Sequence, residues 1–177
     1  MNKKIFIVPF ALFFITIFIL VGRLILDRNP SELPSALINK NVPIFESKIL
    51  FDDKIFYSKN EFNKEITLVN FFSTWCGPCL AEHNYLLRIA NEKKIKIIGI
   101  NYKDNNKKTI EWLNELGNPY TSVLIDSNGR LGINWGVYGI PETYIIDSNA
   151  LIKYRLVGPI NKKNYKSFIK KITSIEK

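Results

Sequence analysis

The chain has 177 residues and a formal charge of +9, with 25 Lys and Arg against 16 Asp and Glu, a length that suits one domain of about 100–150 residues plus accessory segments. The charge is spread through the chain, with lysines collected in Lys103 to Lys108 and again in Lys162 to Lys171 and no aromatic-interleaved stripe, which argues against a nucleic-acid partner; solvated helix faces, or weak attraction to anionic lipid, account for both clusters. Two cysteines and a single histidine, His83, are too few for a closed four-ligand metal site, and no internal repeat is present.

In chain order, Met1 to Lys4 carries two lysines and Ile5 to Gly22 is uncharged and almost wholly apolar. As a helix those residues rise about 27 Å, close to the roughly 30 Å hydrocarbon core of a bilayer. A cleaved signal peptide has a shorter apolar core and a small-x-small site, a pattern not evident near Leu20 to Leu26, so an uncleaved transmembrane anchor is predicted over residues 1–26. Lysines ahead of the span favour a cytoplasmic N-terminus, against Arg23 and Arg28 beyond it. The bulk of the chain is then expected on the periplasmic or extracytoplasmic side of the inner membrane, where oxidising conditions supply disulfides to act on. Residues 27–41, polar with two prolines, read as a tether, and residues 42–177 as one domain.

Within that domain Ile49 to Tyr57 reads as an extended hairpin and Ile66 to Phe72 as a buried strand. Directly after it comes Trp75-Cys76-Gly77-Pro78-Cys79, and Leu80 to Glu92 reads as a helix. Cysteines so placed can close a disulfide with each other. Only a thiolate attacks a disulfide, and a sulfur at a helix N-terminus meets free N–H groups and the positive end of the helix dipole. Cys76 is therefore the expected nucleophile and Cys79, one turn further in, the resolving thiol. A zinc site and an inert structural disulfide are the alternatives; the first lacks ligands and the second constrains a very short loop. Glu82, three residues after Cys79, lies on the same helical face and is a candidate proton acceptor for it, or else a solvated glutamate. His83 is turned about 100° away and reads as structural or surface. Trp75 reads as a lid beside Cys76, and Phe72, Trp112, Tyr120, Trp135 and Tyr138 as packing residues.

Further on, Lys96 to Tyr102 reads as a second buried strand, Lys107 to Leu116 as a helix, and Ser122 to Asp126 as a strand. Thr143 to Asp147 and Leu151 to Val157 form a hairpin, and Lys162 to Ile175 is the last helix. Asn101 to Asp104 ends a strand at the sheet edge where α/β sites gather, with no readable role. Ile140-Pro141 follows Gly139 and opens a strand; a cis X–Pro bond there would present neighbouring backbone to an extended client, a trans proline being the alternative. The order β-α-β-α-β-β-α with a CxxC opening the first helix is that of thioredoxin, an α/β fold with a central mixed sheet flanked by helices.

Four stretches carry a narrower resemblance: WCGPCLAEH at Trp75 to His83, GINYKD at Gly99 to Asp104, WLNELGNPY at Trp112 to Tyr120, and GVYGIPETYIID at Gly136 to Asp147. With them the chain resembles the DsbE/CcmG family, membrane-anchored thioredoxin-like thiol:disulfide interchange proteins of cytochrome c maturation. The resemblance implies that Cys76 and Cys79 are the redox pair, that Pro141 is a cis-proline facing it, and that Glu82 and Glu142 are acidic residues surrounding the site. Glu142 would then border the client groove with Trp75 and Ile140, as a charge that opposes an over-acidic Cys76, or else be a strand-start surface charge. It further implies reduction of apocytochrome c, or of an assembly thiol protein, recharging by a transmembrane electron carrier, and no cofactor. Gly77-Pro78 is the thioredoxin dipeptide, where the family varies. A general extracytoplasmic reductase, and a metallochaperone or binding module, are the competing readings.

Overall fold

The structure, a computed structural model, describes residues 4–25, 36–62 and 65–175. The chain divides into two units, Met1–Glu32 and Leu33–Lys177. The first holds one helix, α1 (Lys4–Ile25), of 22 residues, about 33 Å long at 1.5 Å per residue. Among its described side chains Phe10, Phe14 and Phe18 are exposed, as are Leu12, Ile15 and Ile19. Side chains of α1 are described only over residues 9–22, and among the described residues no helix is long and apolar enough to cross a membrane.

The second unit is built on seven strands: β1 (Glu46–Ile49), β2 (Asp52–Tyr57), β3 (Thr67–Phe72), β4 (Lys96–Tyr102), β5 (Ser122–Asp126), β6 (Glu142–Ile146) and β7 (Ile152–Val157). They form one sheet in the order β2-β1-β5-β4-β3-β6-β7. The central β3, β4 and β5 are parallel, and β6 and β7 continue antiparallel from β3. Every residue of β3 is buried, as expected of a strand covered on both faces. The period of two sorts its side chains. Leu68 and Phe72 join Ile97, Val123 and Ile145 on one face, packed by α2 (Gly77–Lys93), α3 (Asn106–Leu116) and α5 (Tyr165–Ile175) through Leu86, Ile89, Leu113, Phe168 and Ile172. Val69 and Phe71 join Ile98, Leu124, Tyr144 and Ile146 on the other, under Val42, Phe56, Phe62 and the short α4 (Arg130–Asn134).

Several boundaries differ from the sequence reading. The N-terminal hairpin begins at Glu46 and is an antiparallel edge of the main sheet, through Ile49 opposite Leu124. The final helix starts at Tyr165 rather than Lys162, because Asn161 Oδ1 accepts the Lys163 and Asn164 amides and holds that stretch as a turn. α4 was unexpected; the Asp126 carboxylate accepts the amides of Leu131 at 3.1 Å and Gly132 at 2.9 Å and so caps it. Most of the expected tether lies outside the described residues. Its last part is not a spacer: Asn39 N–H donates to Ile152 O at 2.7 Å and Asn41 bridges Leu151, so the domain begins before Val42.

Candidate active site

The disulfide Cys76–Cys79 joins the last residue before α2 to its first turn, with Cα atoms 5.2 Å apart. Cys76 is the N-cap, extended at φ −94° and ψ 105°, and its sulfur accepts the Cys79 N–H at 3.2 Å. Pro78 occupies the first turn, where a missing N–H costs nothing. The helix end therefore directs a donor and its dipole at Cys76, and would favour a thiolate there on reduction. Both cysteines are buried, Cys76 at 5% and Cys79 at 2% residue exposure. The Ile140 carbonyl lies 3.7 Å from Cys76 Sγ, and the following Ile140–Pro141 bond is cis. Trp75 is exposed, its indole N–H donating to Lys103 O at 3.2 Å.

That Lys103 belongs to a loop that scaffolds the site from below. The Ser73 hydroxyl donates to Tyr102 O. Thr74 donates to Asp104 through both its amide and its hydroxyl, and Asn101 Nδ2 and Asn105 N–H donate to the same carboxylate. Partial burial opposes charge on Asp104, but these donors outweigh it and hold the carboxyl below its usual range. The role of Asn101 to Asp104, which sequence left open, is thus to fix the turn that leads into Cys76.

The two glutamates are placed on opposite faces of the sheet. Glu82 is fully buried beneath α2, with Oε1 accepting Asn70 Nδ2 at 2.8 Å and Oε2 accepting the Ile160 amide at 2.8 Å. Burial pushes its carboxyl up to about 7, against those two donors. Glu142, expected as a charge bordering the groove, is instead fully buried and bound by Arg155 through two bonds, Nε to Oε2 at 2.7 Å and Nη2 to Oε1 at 2.9 Å. The Tyr144 hydroxyl donates to Oε2 at 3.0 Å and the Tyr138 amide to Oε1 at 3.3 Å. Arg155 also donates to Gly136 O at 3.0 Å. Glu142 thereby fastens the loop that carries Ile140 and Pro141, and its charge is neutralised at close range.

His83 is buried, its Nε2 2.9 Å from Gly117 O and its ring 4.4 Å from that of Trp112; it ties α2 to the end of α3, and burial lowers its pKa. Phe72, Tyr120 and Trp135 are core residues. Tyr138 is not: it is 61% exposed, its ring centroid 4.9 Å from the Arg155 guanidinium. Arg155 was missed because an arginine in an alternating strand reads as a surface residue. Among the described residues no three metal-ligating side chains cluster.

The Redoxin family profile matches residues 38–169. The thiol:disulfide interchange protein DsbE of Vibrio cholerae is 43% identical over 168 residues, covering 93% of this chain and 91% of that protein. The protein of the same name from Escherichia coli K12 is 39% identical over 174 residues, covering 96% and 94%. Among solved structures, a thiol:disulfide interchange protein of the thioredoxin family from Chlorobium tepidum superposes with a TM-score of 0.64 at 22% identity, over 85% of this chain and 99% of that one, a likeness of fold. With its CxxC at the head of α2 and these relatives along nearly its whole length, the chain belongs to the Redoxin family and, within it, to the DsbE thiol:disulfide interchange proteins.

Proposed function

We propose that this thiol:disulfide oxidoreductase is a membrane-tethered reductant of cytochrome c maturation, acting on the haem-site disulfide of apocytochrome c or on a mixed disulfide with an assembly partner. The observation that carries the chemistry is the Cys76 sulfur at the N-terminus of α2, accepting the Cys79 N–H and lying beside the Ile140 carbonyl. In the reduced protein the Cys76 thiolate attacks one sulfur of the client disulfide, forming a mixed disulfide and releasing the other client sulfur as a thiolate, which takes a proton from solvent. Glu82, on the Cys79 face of α2, accepts the Cys79 proton. The Cys79 thiolate then attacks Cys76, displaces the second client thiolate and closes the Cys76–Cys79 bond, so that two electrons pass to the client. A transmembrane electron carrier returns them.

Trp75 and the Ile140–Pro141 backbone form the client-facing part of the site in this reading, and Glu142 acts by fastening the loop that carries Ile140 and Pro141. The apolar residues 5–22 within α1 support an inner-membrane anchor with the redox domain on the periplasmic or extracytoplasmic side. The test is a trap. Replacing Cys79 by alanine leaves the mixed disulfide unresolved, and the captured proteins are identified from cells. Apocytochrome c or a dedicated assembly thiol protein is the expected catch; a broad scatter of unrelated proteins would replace this reading by a general extracytoplasmic reductase.

A further inference from the structure

Glu82 takes part in no salt bridge among the described residues, yet its surroundings are fully wired. Asn70, opposite Thr143 in the β3–β6 ladder, uses both hydrogens of its amide, donating to Glu82 Oε1 at 2.8 Å and to Thr143 Oγ1 at 3.0 Å. Its Oδ1 accepts the Tyr120 hydroxyl at 2.9 Å. All four side chains are buried. The reach of Tyr120 is built in: its ring stacks on Phe72 at 4.7 Å, its amide is held by Asn118 Oδ1 at 2.9 Å, and Gly99 leaves the space, since a Cβ there would lie 2.9 Å from both rings.

The groups facing Glu82 differ in what they can become. The Ile160 amide on Oε2 only donates and offers a proton no acceptor, whereas Asn70, on Oε1, can supply one, which favours Oε1 as the protonated oxygen. A protonated carboxyl there needs an acceptor, whereas a carboxylate needs a donor. An asparagine amide supplies either by turning over, and its two other partners, the hydroxyls of Tyr120 and Thr143, can each donate or accept. Of these, Tyr120 is the titratable group, and burial with the Glu82 charge keeps its phenol protonated. Along α2, Cys79 and His83 flank Glu82, and the described hydrogen bond of His83 is to Gly117.

We propose that Asn70 and Tyr120 are positioning residues forming a reversible hydrogen-bond circuit: the amide presents nitrogen to the Glu82 carboxylate and turns its oxygen to the protonated acid, while the hydroxyls of Tyr120 and Thr143 reverse. The circuit lets one buried carboxyl be satisfied in both protonation states. Its catalytic meaning rests on the reading of Glu82 as proton acceptor for Cys79; the circuit itself is an equilibrium property. A phenol donates better than it accepts, so Tyr120 favours the ionised arrangement.

The test follows the Glu82 carboxyl carbon and the Asn70 side-chain amide by NMR in the reduced full-length chain, from about pH 5 to 9. The Asn70 amide resonances should titrate with the Glu82 midpoint and become pH-independent in Glu82→Gln. Tyr120→Phe, which keeps the ring on Phe72, should raise the Glu82 midpoint by about half to one pH unit, the worth of one net hydrogen bond. Asn70 resonances that stay flat through the wild-type Glu82 midpoint would overturn the circuit with no variant needed, as would an unmoved midpoint in a folded Tyr120→Phe protein. Because these readouts are made at equilibrium, they are decided separately from the mixed-disulfide rates that test Glu82 as a base.

Discussion

Replacing Glu82 by glutamine should stabilise the protein at pH 8 and hardly at all at pH 5. The wild-type carboxyl is raised from 4.5 to about 7 by folding, worth about 3 kcal/mol at about 1.4 kcal/mol per unit. The sign follows from proton counting. Below about pH 4.5 both the folded and unfolded carboxyls are protonated and nothing is lost; between there and pH 7 the folded state holds a proton the unfolded state has released, so stability falls as pH rises, and above about 7 the full cost is present. Glutamine does not titrate, but its amide turns one donor toward Asn70 or Ile160, and losing that match returns about 1 kcal/mol unless Asn70 turns over. The net gain at pH 8 is about 2 kcal/mol, or about 4–8 °C in melting temperature for a domain of this size. Thermal unfolding of the oxidised full-length protein, followed by circular dichroism at the two pH values, reads it directly. A difference between variant and wild type that is the same at both would refute the assignment of a carboxyl titrating in this window.

Arg155→Met should destabilise the domain by about 3–5 kcal/mol, because it leaves Glu142 buried and unpaired; adding Glu142→Gln should recover most of that in urea unfolding, and a single variant within about 1 kcal/mol of wild type would show that the pair fastens nothing. Alkylation of the reduced protein, mapped by mass spectrometry, should modify Cys76 before Cys79, with a rate that titrates below the free-cysteine value of about 8.5; faster labelling of Cys79 would reverse the two roles. The full chain should sediment with membranes, resist extraction by alkaline carbonate and expose its domain to protease added from the outer side, whereas a soluble product beginning after about Gly22 would show a cleaved leader.

The centre of the fold was legible because its signals are local. Thr67 to Phe72 and Lys96 to Tyr102 are largely apolar runs of strand length, interrupted by Asn70 and Asn101, and the CxxC follows closely on the first of them. Glu82 could be placed on the Cys79 face from helical spacing alone. Legibility stopped where partners come from separate elements. Arg155 lies opposite Tyr144 and diagonal to Glu142 across the β6–β7 ladder, a relation set by register, which a hairpin of unknown turn length does not reveal. For the same reason Glu142, assigned to the groove by its nearness in sequence to Pro141, turned out to face the side of the sheet away from Glu82. The α4 helix has five residues, too few for a 3.6-residue period to show. Asp104 looked like any loop carboxylate until its donors, Thr74 and Asn101, came from two other segments.

The central claim is that Cys76 attacks, Cys79 resolves, and two electrons pass to a client disulfide. Mixing the reduced full-length protein with one equivalent of an oxidised peptide bearing the CxxCH haem-attachment sequence, then quenching with acid and mapping thiols by mass, tests it in a single turnover. Wild-type protein should end as the Cys76–Cys79 disulfide with one equivalent of reduced peptide, and Cys79→Ala should stall with the peptide attached through Cys76. Peptide that stays oxidised, or is held through Cys79 in a Cys76→Ala protein at an undiminished rate, would contradict the account.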